Sequence, residues 1–261
     1  MIILKIGGSA LTIKDAKTPT LDEKNLERIA QEASYYNDDM IIVHGAGSFG
    51  HIYAQQYKIG DKPKTPKDDF KIEGMCITQA SMQLFNHNII TKLQEKGIPA
   101  IGLKPSSFIM TRNKRIEVCD TKMIKRYVDE GFVPVLYGDA VLDLNEDIKF
   151  AILSGDQIIT YLAKELKCNR VILSSDVDGI FTDNPKNNPD AELIEVVTRD
   201  TQLTVTDNEN QIDVTGGMMG KINELLALAD EGIESQIINA EVEGNIQQAV
   251  SGQKVKGTLI R

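Results

Sequence analysis

Four turns in this sequence set glycines beside lysine, histidine or aspartate in ways that can hold an anion. Lys5-Ile6-Gly7-Gly8-Ser9 joins a glycine pair to a lysine. Without Cβ atoms the backbone turns tightly and brings its N–H groups to a phosphate, while the lysine adds a point charge. The stretch HGAGSFGH, His44 to His51, has Gly-x-Gly-x-x-Gly spacing between two histidines. SSDVDGIFTDNP, Ser174 to Pro185, gathers Asp176, Asp178 and Gly179 in one turn. DVTGGMMGK, Asp213 to Lys221, opens the clearest amphipathic pattern in the chain, with Lys221 in its first turns. Helix N-termini attract anions, and a lysine there is otherwise mildly unfavourable. Each turn taken alone is equally an ordinary surface turn.

The familiar uses of such glycines do not fit. A dinucleotide fold wants an acidic residue about 20 positions on, at the end of the next strand. Asp68 and Asp69 lie near that spacing, but in a polar loop with no strand leading into them. A P-loop fails as well, because His51 stands where its lysine belongs and Ile52 follows. The aspartates of 174–185 lack the ligand series of an EF-hand.

Composition narrows the partners. The 261 residues are 41% hydrophobic and 26% charged, and 38 acidic against 29 basic residues give a net charge of −9. Nucleic-acid binding needs a broad basic surface, so none is expected. Cys76, Cys119 and Cys168 are far apart and lack CxxC spacing, the pattern of reduced thiols. The opening MIILKIGGSA has too short an apolar part and no basic region for a signal peptide. No run approaches the roughly 18 apolar residues of a membrane span. The expectation is a soluble, cytoplasmic protein without membrane or nucleic-acid partners.

The elements that must position these turns alternate along the chain. Apolar runs predict strands at Ile2–Ile6, Met40–Val43, Ala100–Leu103, Val133–Leu136, Arg170–Leu173, Ser235–Ile238 and Gly257–Ile260. Helices are expected at about 22–36, 69–96, 120–130, 156–167 and 218–231, the last with Met218, Ile222, Leu225, Leu226 and Ala229 on one face. Such alternation predicts an α/β layered fold with a largely parallel sheet covered on both faces. In that fold ligands sit beyond the carboxyl ends of strands, where these turns fall. Hairpins are expected at 109–118 and 141–150, decorating an edge of the sheet, and an exposed loop at 58–69 that is either a lid or a plain connection.

Taken in order, KIGGS (5–9), HGAGSFGH (44–51), YGD (137–139), SGDQ (154–157), SDVDGIFT-NP (175–185) and DVTGGMMGK (213–221) resemble the amino acid kinase superfamily. Within it they resemble the isopentenyl phosphate kinases of archaea, with HGAGSFGH the most specific element. The resemblance covers nearly the whole chain. It implies a single three-layer αβα sandwich around a central, mostly parallel sheet, usually a homodimer. An acceptor-binding part would span about 1–150 and a nucleotide-binding part about 151–261. The implied reaction is phosphoryl transfer from ATP, with Mg2+ carried by the nucleotide, to isopentenyl phosphate, giving isopentenyl diphosphate for isoprenoid synthesis by the alternative mevalonate route.

By the same resemblance, Lys5, Gly7, Gly8 and Ser9 contact the ATP phosphates, Lys14 is the transition-state lysine and Lys221 meets the transferred phosphate. Ala46, Gly50, His51 and Gly138 hold the acceptor phosphate, while Gly47, Asp176, Gly179 and Gly217 lie along the nucleotide. Asp156 orients the lysines, and no metal is held by protein ligands alone. A phosphate monoester is already ionised near neutral pH, so no base is needed and the work is positioning and charge neutralisation. His44 is expected to be structural and His87 an ordinary helix residue. Met75, Ile77, Met82 and Phe85 are candidates for lining an apolar tail pocket, with core packing the commoner fate of each. Rival readings are a phosphonate kinase of the fosfomycin type, a uridylate kinase, or a non-catalytic nucleotide-binding or storage module.

Overall fold

Apolar β-branched runs form the strands. In chain order these are Ile2–Ile6 (β1), Met40–His44 (β2), Ala100–Gly102 (β3), Ile109–Arg112 (β4), Arg115–Cys119 (β5), Val133–Tyr137 (β6), Asp139–Leu142 (β7), Phe150–Leu153 (β8), Arg170–Ser175 (β9), Ile180–Phe181 (β10), Leu193–Ile194 (β11), Val196–Val197 (β12), Glu234–Asn239 (β13) and Gly257–Ile260 (β14). Helices lie between them. They are Gly8–Leu11 (α1), Glu23–Ala33 (α2), Gly47–Gln56 (α3), Phe70–Glu95 (α4), Thr121–Asp129 (α5), Gly155–Glu165 (α6), Gly217–Ala229 (α7) and Asn245–Val250 (α8). The structure, a computed structural model, describes residues 1–261 apart from 14, 15, 17, 62–69, 184, 186 and 202–216.

The main sheet runs in the order β12, β14, β13, β9, β1, β2, β6, β3, and β14 alone runs antiparallel to a neighbour, β13. Side chains alternate across a strand. Ile2, Leu4 and Ile6 of β1 therefore join one core with Leu26, Ile29, Phe85, Ile89 and Ile246, from α2, α4 and α8. Ile3 joins the other with Ile124, Ile158, Leu162, Ile222 and Leu225, from α5, α6 and α7. Burying each of these large aliphatic side chains contributes roughly 1.5–3 kcal/mol. The result is the expected three-layer αβα fold. Alternation also sends Lys5, the odd member of the IILKI strand, toward the α6 and α7 layer.

Helix starts follow local chemistry. Asp22 accepts from Asn25 N at 3.0 Å to start α2, and Ser154 accepts from Gln157 N at 3.1 Å to start α6. In α7, Ile222, Leu225 and Leu226 are buried as expected, and Leu228 joins them.

The expected hairpins form, β4 with β5 and β7 with β8, but neither joins the main sheet. The β7–β8 hairpin instead links the end of β6 to the start of α6. The glycine-rich stretch also departs from expectation. It turns only as far as Ala46, and from Gly47 onward it is helix α3. Two glycines and weak amphipathicity hide that helix in the sequence. Tertiary packing supplies it, with Phe49 stacked on Phe85 of α4 at 4.5 Å between ring centroids. Residues 58–61 continue from α3 as a turn, and the remainder of the loop, with any lid in it, lies outside the described residues.

Candidate active site

β1 lies between β2 and β9, and successive strands leave it in opposite directions on its two sides. That is the switch point of an open α/β sheet, where ligands bind beyond the strand ends. A cavity of about 600 Å3 opens there. Gly7, Gly8 and Ser9 after β1 line it, as do Gly45 to Ser48 after β2 and Ser175 and Asp176 at the end of β9. The starts of α1, α3 and α6 converge on it, and helix starts leave backbone N–H groups without intrahelical partners.

The glycine pair and the second glycine turn are made for each other. A Cβ on Gly8 would lie 2.2 Å from Gly47 N and 2.7 Å from Gly47 Cα. One on Gly45 would lie 2.6 Å from Gly8 N. The two backbones touch, and only glycine permits that approach. Gly47 also has φ +50, a conformation that favours glycine. Gly138 closes the third side, its absent Cβ leaving room for Leu153 O and Gly155 N at the base of the β7–β8 hairpin.

Charge enters from the α6 and α7 layer. Lys5 Nζ donates to Asp156 Oδ1 at 2.6 Å, and Lys221 Nζ stands 3.9 Å from the other oxygen, Oδ2. Both Lys5 and Asp156 are buried. One carboxylate is thus shared by two ammonium groups on this side of the cavity. Held this way, the lysines do not drive each other apart when no anion is bound.

The wall beyond α3 is different. His51, exposed on the second turn of α3, lines the cavity beside Gly50. A Cβ on Gly50 would stand 3.0 Å from Met82 Sδ, so that glycine admits the methionine. Ile52, Ala54, Met82, Ile152 and Leu153 then give this end of the cavity an apolar lining, with Thr78 among them. Of the expected tail candidates only Met82 reaches the cavity. Met75 packs with Ile59 and Ala140, Phe85 is buried against Phe49, and Ile77 is half-buried outside the lining. Sequence reasoning missed Ile52, Ala54 and Ile152 because it did not see α3 and gave the hairpin no role. No local pattern in the sequence marks these residues, because α3 forms through its packing on α4.

Other expected residues fall elsewhere. Lys14 lies outside the described residues. Gly217 opens α7, one turn before Lys221. Gly179 does not line this cavity; φ is +155 there, and a Cβ would meet Thr258 Oγ1 at 2.4 Å, which accounts for the glycine by packing. Asp178 is engaged by Asn239 at 2.8 Å and by Lys256 at 2.5 Å, bonds that hold its carboxyl below the usual range. His44 is buried away from the cavity, as a structural residue would be, and His87 is exposed on α4. Asp139, below Gly138, accepts from Ser106 N at 3.1 Å, and burial raises its pKa.

Two touching glycine turns, a carboxylate shared by two lysines and an apolar end suit a pair of phosphates and a short apolar group. Residues 1–239 match the amino acid kinase family. The chain belongs to that family. It is 47% identical over 262 residues to the isopentenyl phosphate kinase of Methanothermobacter thermautotrophicus, covering 100% of this chain and 98% of that relative. A solved isopentenyl phosphate kinase structure superposes with a TM-score of 0.90 at 44% identity, over 100% of this chain and 99% of the other. An isopentenyl phosphate kinase substrate complex superposes with a TM-score of 0.79 at 30% identity, covering 100% of both chains. Within the amino acid kinase family, the likeness is thus to the isopentenyl phosphate kinases over their full length.

Proposed function

We propose that this amino acid kinase transfers the γ-phosphoryl group of ATP to isopentenyl phosphate, giving isopentenyl diphosphate and ADP for isoprenoid synthesis. The observation that carries the reading is the shared carboxylate: Asp156 holds Lys5 and Lys221 between two glycine cradles, with an apolar end beyond His51. A phosphate monoester loses its second proton with a pKa of about 6 and is mostly dianionic at neutral pH. One of its oxygens attacks the γ-phosphorus directly, the bond from that phosphorus to the β–γ bridging oxygen breaks, and ADP departs with the electron pair. Catalysis is then alignment of two anions and neutralisation of their charge.

The roles follow from position and from the family resemblance. Lys5, Gly7, Gly8 and Ser9 take the ATP phosphates, Lys221 the group in flight, and Lys14 the transition-state charge. Ala46, Gly50, His51 and Gly138 receive the acceptor phosphate, and His51 donates to it more strongly when protonated. Gly47, Asp176 and Gly217 border the nucleotide, and Gly179, packed against Thr258, supports the turn that carries Asp176. The acceptor half is about 1–150 and the nucleotide half about 151–261. Asp156, already shared by two lysines, is not spare as a metal ligand, so Mg2+ is assigned to the ATP phosphates, where it neutralises charge. From Gly74 to Thr91, α4 carries no Asp, Glu, Lys or Arg, yet Cys76, Ala80 and Leu84 are exposed. That uncharged face supports a homodimer. Among the described residues no helix is long and apolar enough to cross a membrane, and a cytoplasmic location completes the proposal.

The test is ADP release coupled to a spectroscopic readout, with ATP, Mg2+ and isopentenyl phosphate beside fosfomycin, UMP and an acceptor-free control. Rapid turnover with isopentenyl phosphate alone is expected. Preference for fosfomycin or UMP would reassign the acceptor, and ATP binding without turnover on any of them would favour a nucleotide-binding module.

A further inference from the structure

His44 does not line the cavity, yet two acceptor-side elements are fastened to it. Its ring is fully buried, stacked on Tyr137 with centroids 5.3 Å apart and met edge-on by Phe85 at 4.8 Å. Nδ1 lies 3.0 Å from the Gly45 carbonyl oxygen and Nε2 lies 3.1 Å from Asn86 Oδ1. Burial lowers its pKa to about 4, so the ring is neutral at ordinary pH and has a single N–H. A backbone carbonyl can only accept. The proton therefore belongs on Nδ1, and Nε2 is satisfied when the Asn86 amide presents its NH2 group.

The consequence lies across the next peptide bond. A trans peptide is planar, with C=O and the following N–H on opposite sides. Anchoring the Gly45 carbonyl against the buried ring turns the Ala46 N–H the other way, and Ala46 lines the cavity. The backbone of His44 acts on the same region, since its carbonyl accepts from Gly138 N at 3.1 Å. We infer that His44 is a positioning residue for the acceptor phosphate: its Nδ1–H fixes the Gly45–Ala46 peptide so that the Ala46 N–H points at the anion, while its carbonyl holds the Gly138 turn. The inference deepens the proposed function and rests on it for the identity of the anion.

Two substitutions separate the ring nitrogens. In His44→Asn the Nδ2 amide overlies Nδ1 and can still donate to the Gly45 carbonyl, while the contact to Asn86 is lost. In His44→Gln the amide nitrogen reaches toward Asn86 and the Nδ1 donor is lost. Removing that one donor is expected to raise KM for isopentenyl phosphate by about 5-fold or more in His44→Gln, with KM for ATP little changed. His44→Asn should recover most of that loss although it too is destabilised. A purely structural role predicts instead that acceptor KM follows Tm in both variants, or that KM for ATP rises equally; either result overturns the inference. Nitrogen NMR of the wild type gives an independent reading, with the Nδ1–H tautomer expected and the Nε2–H tautomer fatal. If the wild type turns over no isopentenyl phosphate, the functional reading fails separately. Calorimetric binding of inorganic phosphate, weaker in His44→Gln than in His44→Asn, then tests the loop by itself, and equal binding would overturn the inference.

Discussion

Lys5 and Asp156 are 151 residues apart in the chain and 2.6 Å apart in the cavity, Nζ to Oδ1. Strand alternation turns Lys5 toward the layer that holds α6, and the Ser154 cap fixes the first turn of α6, where Asp156 sits. The second carboxylate oxygen faces Lys221, 3.9 Å away on α7. Three elements from distant parts of the chain thus set one arrangement of charge.

Replacing Asp156 by Asn keeps the shape and removes the charge that reconciles the two lysines. Leaving a buried ammonium without its partner costs about 3 kcal/mol or more. The expected outcome is a clear fall in Tm together with a loss in kcat of about 100-fold, because misplaced lysines no longer meet developing charge. Steady-state kinetics and thermal unfolding of Asp156→Asn check both. A variant with near-normal kcat would show that the carboxylate does not position the lysines.

The contact between the glycine turns makes a sharper stability prediction. An alanine at 8 would drive its Cβ into the backbone at Gly47, where no side chain can move aside. Such overpacking destabilises by about 2 kcal/mol or more. At Gly155 the nearest atoms are 3.5 Å from a built Cβ, an ordinary contact. Thermal unfolding should therefore show a drop of several degrees for Gly8→Ala and little change for Gly155→Ala. Equal changes would mean that the turns can separate at low cost.

Which parts of this design were legible in the sequence follows from how local their signals are. Four apolar residues in a row, Met40 to Val43, announce a buried parallel strand. Ile222, Leu225 and Leu226 announce a helix face. Helix α3 was illegible because GSFGHIYAQQ owes its shape to Phe49 on Phe85 and to packing on α4, contacts that no local pattern contains. Lys5, Asp156 and Lys221 were found by motif order, but spacing alone could not bring two lysines to one carboxylate. Along α4 only Met82 lines the pocket, while Met75 and Phe85 take the core packing expected as the commoner fate; the rest of the wall comes from α3 and β8. Gly179 shows the reverse case, a motif glycine with a packing necessity against Thr258 that the motif does not announce.

Buried neutral His44 gives stability a pH dependence of definite sign. Its ring binds a proton with a pKa of 6.5 when exposed, and of about 4 when folded. Between those values the unfolded chain holds the extra proton, so stability is full above about pH 6.5 and falls as pH drops toward 4. The contribution lost is up to roughly 3 kcal/mol. Denaturant unfolding of the wild type and His44→Asn at about pH 7, 5.5 and 4.5 isolates it from the carboxylates. The advantage of the wild type should shrink with acidity. Parallel curves would show that His44 is not held neutral by burial.

The last prediction concerns His51, which differs from His44 in every relevant respect. It is exposed, lines the cavity and sits one turn into α3 beside Gly50. In the proposed reading it belongs to the acceptor side of the cavity. Truncation to alanine removes a donor to the acceptor phosphate while leaving the glycine cradles and both lysines intact. A hydrogen bond to a charged group is worth about 1.5–3 kcal/mol, so KM for isopentenyl phosphate should rise by about 10-fold or more. KM for ATP should move much less. Initial rates with each substrate varied in turn distinguish the two. Equal increases would place His51 outside the acceptor subsite and leave the phosphate to the backbone amides alone.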